Sequence, residues 1–334
     1  AATFALLMSR GRMAREGRSP LGVIGGWGLT CDANHLTGPS RDGAPLAAAA
    51  ASAMRMAGCP AEAVGAVAAH GTGTRYNDLM EMAALKRLFG DRPRPTFSVK
   101  GGIGHTLGAA GLAGALLALE ALRRGVVPPT VGLRRPAAEA EGWVAATAVS
   151  PVPAGAALAT ASGFGGVNTA LLLSLAPFDN AALPRRAGVA VRGLCQVDAD
   201  APPAAPAGGF TPPRNFGRFS AEARLAFHAV ARALAEAGFV PDAAGILRAP
   251  GGAAARVGIL ACDRDGSAAA NRAYFADYVA SGRTLGRGQL FAYTLPTSVA
   301  AECAIACRLT GPLLYVAEPG GGADAAWRTV RGLI

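Results

Sequence analysis

The chain has 334 residues, 51% of them hydrophobic, and a formal charge of +10. That apolar content excludes a disordered chain and is enough to build one large core or two medium ones. Only Lys86 and Lys100 among the 32 basic residues are lysine, the arginines are scattered, and aromatic residues make up 6%. The basic runs and stacking platforms of a nucleic-acid binder are therefore not evident.

The six cysteines, Cys31, Cys59, Cys195, Cys262, Cys303 and Cys307, form no CxxC pair and no zinc spacing. A reducing, cytoplasmic setting is expected. No apolar run reaches about 18 residues without a charge or a glycine, and no signal-peptide pattern opens the chain, so membrane spanning and secretion are disfavoured.

In chain order, Ala1–Met8 reads as a strand already in progress, and the end at Gly332-Leu333-Ile334 has no tail. The expectation is a fragment cut from a longer reading frame at both ends. Strands and helices then alternate: a strand over Leu21–Gly28, a helix over Pro45–Gly58, a buried strand over Val64–Ala69 and a helix over Asp78–Phe89. A short run, Thr96–Val99, leads through two glycines to an amphipathic helix over Thr106–Leu122, and Ala156–Ala161 and Thr169–Leu175 make a late strand pair. This is an α/β layered pattern.

Residues 196–213, rich in Pro, Ala and Gly, read as a connector. A second α/β stretch follows, with helices over Ser220–Gly238, Ala268–Ser281 and Ser298–Leu309 and strands over Arg256–Cys262 and Leu313–Ala317.

Two of the four histidines sit in glycine-rich signatures: His70 in His70-Gly71-Thr72-Gly73-Thr74, and His105 in Lys100-Gly101-Gly102-Ile103-Gly104-His105-Thr106. Each closes or follows a short apolar run. Two imidazoles at neighbouring strand ends can converge on one oxygen and stabilise a developing oxyanion. A dinucleotide reading fails because Gly102 and Gly104 are followed by Gly108, one position late for G-x-G-x-x-G. A metal site built from His70, Asp78, Glu81 and His105 is set aside in favour of the oxyanion reading. Gly108, Gly111 and Gly114 put a smooth stripe on the helix after His105, predicting close packing on the sheet.

These blocks, with Asn77-Asp78, Glu81, Ser98-Val99-Lys100, Leu107-Gly108-Ala109-Ala110-Gly111 and Gly163-Phe164-Gly165-Gly166-Val167-Asn168, resemble the C-terminal half of the β-ketoacyl synthases, condensing enzymes of the thiolase fold. The resemblance covers roughly residues 1–175. It implies thiolase-like layered αβαβα halves, mixed sheets flanked by helices. It also implies a decarboxylative Claisen condensation between an acyl thioester and malonyl-carrier protein, in fatty-acid, polyketide or aryl-polyene biosynthesis.

By the resemblance, His70 and His105 hydrogen-bond the thioester oxygen. Lys100 orders the site, with Glu81 its best candidate partner, because Gly114 stands where the bacterial fatty-acid branch often has a glutamate. Asp78 and Glu81 hold the loop after His70, with Thr72 and Thr74. Phe164 gates an acyl pocket, and Gly163, Gly165 and Gly166 give its loop freedom to move. No cofactor is implied, since the phosphopantetheine arm belongs to the partner acyl carrier protein. Acyl and malonyl thioesters are the other partners, with a homo- or pseudo-dimer formed through ketosynthase modules.

The family's nucleophilic cysteine belongs to the N-terminal half, so the resemblance implies a chain inactive by itself. Residues 186–334 are more weakly similar to the N-terminal half of a second, ketosynthase-like module of the chain-length-factor kind. The carrying features are the helix Phe219-Ser220 to Ala237-Gly238, the strand Val257-Gly258-Ile259-Leu260 leading to Asp265-Gly266, and Thr297-Ser298 to Gly311-Pro312-Leu313-Leu314. Gly320 falls near its nucleophile position, where no thiol is available. The expected division is a ketosynthase C-terminal half over 1–175, a linker and first strand over 176–215, and a truncated N-terminal half over 216–334. A non-catalytic chain-length factor or scaffold is the alternative function.

Overall fold

The computed structural model describes residues 1–149, 155–178, 192–263, 267–283, 286–317 and 328. The elements before the connector are α1 (Arg10–Arg15), β1 (Val23–Cys31), α2 (Ala44–Ala57), β2 (Val64–Ala68), α3 (Arg75–Phe89) and β3 (Thr96–Phe97). They continue with α4 (Lys100–Ile103), α5 (Ala110–Arg124), β4 (Ala156–Gly163) and β5 (Val167–Ser174). The chain divides into two compact units, Ala1–Leu29, Pro39–Ser162 and Asn168–Leu183 in one, and Thr30–Gly38, Gly163–Val167 and Pro184–Ile334 in the other.

In the first unit every residue of β2 is buried, so the strand must be covered on both faces. It lies inside a five-stranded sheet of order β1-β5-β4-β2-β3, parallel to β3 and to β4. A register irregularity between Val64 and Ala66 interrupts the alternation along β2, and its side chains divide between two cores. Val64 and Val67 pack with Ala53, Met54 and Leu85 of α2 and α3, and Ala66 and Ala68 pack with Ala115, Ala118 and Leu122 of α5. The resulting layer order is helix, sheet, helix.

Three expectations change here. Residues 1–9 form no strand, and Phe4, Leu6 and Leu7 stand 87%, 80% and 72% exposed. β1 already occupies the sheet edge, and Ala1–Met8 makes no ladder beside it. The helix expected from Thr106 opens instead with a tight turn over Leu107–Ala109, because Leu107 has a φ of +53° that no α-helix accepts. The glycine stripe on α5 is not demanded by packing. A Cβ at Gly111 or Gly114 would lie 3.5 or 3.9 Å from Ala161 or Ala68, ordinary contact, and at Gly108 it would meet nothing.

The second unit contains α6 (Ala221–Glu236), a small antiparallel pair β6 (Val240–Pro241) and β7 (Leu247–Arg248), β8 (Ile259–Asp263), α7 (Ala268–Ala280), α8 (Gly288–Tyr293), α9 (Ser298–Cys307) and β9 (Leu313–Ala317). Ser220 caps α6, its hydroxyl accepting the Ala223 N–H at 3.1 Å. Phe227, Ala231 and Leu234 of α6 bury against Ala300, Ala304 and Cys307 of α9. β8 and β9 pair in parallel, with Ile259 opposite Leu313. β8 begins at Ile259 rather than Arg256. Just before it, Gly311 comes so close to the Val257 backbone that a Cβ there would lie 2.6 Å from its carbonyl carbon. Described residues between 192 and 215 carry no helix or strand. Asp265-Gly266 and Gly320 lie outside the described residues.

Candidate active site

The site grows from the ends of β2 and β3. Two residues past β2, His70 is buried, 9% exposed, and Gly71 turns the chain with a φ of +46°. A Cβ on Gly71 would lie 2.4 Å from the Ser98 Cβ, so only glycine allows this approach. Ser98 closes the turn, its hydroxyl donating to the Gly71 carbonyl at 3.0 Å while its own N–H donates to the Thr130 hydroxyl at 3.2 Å.

Helix α3 supplies two carboxylates to the same loop. Glu81, 2% exposed, accepts the His70 N–H on one oxygen and the Gly71 N–H on the other, both at 2.7 Å. Asp78 accepts the Gly73 N–H at 3.2 Å. The Thr72 and Thr74 hydroxyls lie 3.1 Å apart, and Thr74 also accepts from the Asn77 side-chain amide at 2.7 Å. Burial raises the Asp78 carboxyl, and it pushes Glu81 up to about 7 despite the two amide donors.

Lys100, the first residue of α4, is not ion-paired with Glu81. Its ammonium donates to the His70 carbonyl and lies 3.4 Å from His70 Nδ1. Glu81 is held by the two backbone amides, and Lys100 acts on it through charge alone.

The rings of His70 and His105 stand 5.6 Å apart, edge to face. Burial, then the charge of Lys100, then that of His105, lower the His70 pKa to about 4, and burial with Lys100 lowers that of His105. Both imidazoles are neutral near pH 7. An ammonium can only donate, so Nδ1 of His70 is an acceptor and its proton sits on Nε2. Nδ1 of His105 likewise accepts the Leu107 N–H at 3.1 Å, which places its proton on Nε2. The strained φ of Leu107 is the bend that turns this amide back onto the ring.

Residues 21–134 match the family model described as Beta-ketoacyl synthase, C-terminal domain. Over these residues the chain is similar to a β-ketoacyl synthase C-terminal domain. Over 150 residues, 44% of its length, the chain is 37% identical to a 3-oxoacyl-[acyl-carrier-protein] synthase 2 of Rhizobium meliloti (strain 1021), covering 35% of that protein. Over 152 residues it is 36% identical to the actinorhodin polyketide putative beta-ketoacyl synthase 1 of Streptomyces coelicolor, covering 45% of this chain and 32% of that one. The chain thus spans about a third of the length of these curated relatives. A solved PfaC ketosynthase–chain length factor superposes over 96% of this chain and 42% of its own, with a TM-score of 0.65 at 18% identity, which shows a shared thiolase-like fold.

In the second unit, Phe164 is 42% exposed and meets Phe291 edge to face at 6.2 Å. Its loop is pinned rather than free. The Gly165 N–H donates to the Leu36 carbonyl at 2.6 Å, and the Gly166 carbonyl accepts the Asp32 N–H at 2.7 Å. Gly165 and Gly166 have φ of +84° and +78°, and a Cβ on either would lie 2.9 Å from Ala301 or Asp32. Glycine is required there by backbone shape and close approach. Gly163 has open space at its Cβ position.

Ser98, Thr130 and Thr160 escaped the sequence reading as site residues. Thr160 donates to Glu81 at 3.5 Å, a contact set by the β2–β4 register and not by any motif.

Proposed function

We propose that this chain supplies the histidine half of a β-ketoacyl synthase active site, for decarboxylative Claisen condensation of an acyl thioester with malonyl-carrier protein in fatty-acid or polyketide biosynthesis. The observation that carries it is the pair of neutral imidazoles, 5.6 Å apart, each with Nδ1 engaged and a hydrogen left on Nε2. When malonyl thioester loses carbon dioxide, charge develops on the thioester oxygen. Two neutral donors held by backbone contacts stabilise that charge without reorganising.

His70 and His105 are the catalytic donors in this reading. Lys100 is a positioning residue that fixes the His70 tautomer, and Glu81, Asp78, Thr72 and Thr74 hold the loop that carries the ring. Acyl carrier protein is the partner, and its phosphopantetheine arm presents the substrate. Pairing through ketosynthase modules, as homo- or pseudo-dimer, belongs to the same proposal.

The reaction also needs a thiolate, and the four buried cysteines do not offer one. Burial pushes the Cys31 and Cys59 thiols up to about 11 and raises Cys303 and Cys307 further. This favours, as a second reading, a chain-length-factor or scaffold role for the second unit.

The test is malonyl-carrier-protein decarboxylation by the full-length protein carrying His105→Ala or His70→Ala. Loss of one oxyanion donor is expected to lower turnover by about 10²–10³-fold; wild-type turnover in either variant would refute the assignment.

A further inference from the structure

In the second unit, Tyr293 at the end of α8 and Glu302 in α9 make a contact that the condensation chemistry does not use. The phenol oxygen lies 2.5 Å from Glu302 Oε1 and 3.2 Å from the Arg218 carbonyl. Glu302 is 5% exposed, and its second oxygen has no hydrogen-bond partner among the described residues. Both side chains line a cleft of about 390 Å³ together with His35, Asn215 and Arg218.

A proton count decides the state of this cluster. A phenol has one proton to give and here faces two acceptors. If Glu302 were a carboxylate, Tyr293 would satisfy one oxygen and leave the Arg218 carbonyl facing a bare lone pair, with Glu302 Oε2 a buried anionic oxygen lacking any donor. If Glu302 keeps its proton, the carboxylic acid donates to the phenol, the phenol donates to the Arg218 carbonyl, and the unpartnered oxygen is an uncharged carbonyl. Only the second arrangement satisfies both contacts, and it avoids the larger cost, an orphaned buried charge.

We infer that Glu302 is held as a neutral carboxylic acid that donates to Tyr293, a proton-dependent clasp joining α8 to α9. The groups around it do not cancel the burial. Arg224 of α6 faces the phenol, as does the backbone amide of Ser220. Arg218 and His35 line the cleft, and the Cys303 thiol lies beside Glu302 on α9. No α7 side chain lines the cleft among the described residues. Burial lifts the Glu302 carboxyl from 4.5 to about 7. Because the folded state then holds one proton more than the unfolded state across that window, stability falls as pH rises through it and levels off above it.

The experiment compares urea unfolding of the full chain with that of Glu302→Gln from about pH 5 to about pH 8. The glutamine amide donates to Tyr293 as the acid does but cannot ionise. The wild-type unfolding constant is expected to rise by up to about tenfold per pH unit more than that of the variant below about pH 7. Equal slopes would overturn the inference. Should the variant not fold, carbon-13 NMR of the wild-type Glu302 carboxyl, assigned through its own backbone, decides the matter. A midpoint near neutrality supports the clasp, and an ordinary acidic midpoint overturns it.

Discussion

The ammonium of Lys100 lies 3.4 Å from Nδ1 of His70 and also donates to that residue's own carbonyl. One side chain thereby fixes both the backbone position and the tautomer of the ring, and its charge adds to burial in lowering the ring's pKa. Replacing Lys100 with methionine removes all three effects while keeping the apolar stem. The His70 pKa should then move upward from about 4, read by NMR titration of the ring; an unmoved value would remove Lys100 from the site.

Glu81 should give a pH-dependent signature in the first unit. Its carboxyl is raised by burial from 4.5 to about 7, so the folded state binds the extra proton in that window and stability declines with rising pH across it. Glu81→Gln loses this slope, and it also turns an N–H₂ toward one of two backbone amides, costing about 1–3 kcal/mol. Urea unfolding at acidic and neutral pH measures both. A variant as stable and as pH-dependent as the wild type would show that the carboxylate does not hold the His70 loop.

Two glycines in the same loop should respond differently to alanine. At Gly71 the added Cβ meets Ser98 at 2.4 Å in a left-handed backbone, so Gly71→Ala should lose about 2–4 kcal/mol. Gly73, with φ of +72° and open space, bears only the conformational penalty of about 1–2 kcal/mol. Thermal melts of the two variants should separate clearly; equal losses would mean the Gly71 turn is not as tight as described.

Gly114 offers the opposite outcome. It lies in the interior of α5 with 3.9 Å to the Ala68 Cβ, so Gly114→Ala adds helix propensity without a clash and should gain about 0.5–1 kcal/mol. A lower melting temperature would restore the close-packing role that the glycine spacing predicts.

The residues that could be read from sequence are those whose signal is local. The apolar run at Val64–Ala68, the periodic faces of α2, α5 and α6 and the glycine-framed histidines carry their own pattern, and each forms the expected element within a few residues. What could not be read depends on distant backbone. Lys100 binds a carbonyl, which every residue possesses, so no residue type marks it as the partner. The link from Cys31 Sγ to the Gly165 carbonyl, at 3.4 Å, joins residues 134 apart in sequence and draws two short loops into the second unit. Short helices such as α4 and α8, at four and six residues, are too brief to show a period.

His70 and His105 are both neutral in this reading, and both carry their hydrogen on Nε2. Nitrogen-15 NMR of ring-labelled histidine near pH 7, with His70→Ala and His105→Ala for assignment, reads this directly. Two neutral Nε2–H rings are the expected result. A cationic ring, or a hydrogen on Nδ1 of either histidine, would contradict the oxyanion-donor assignment.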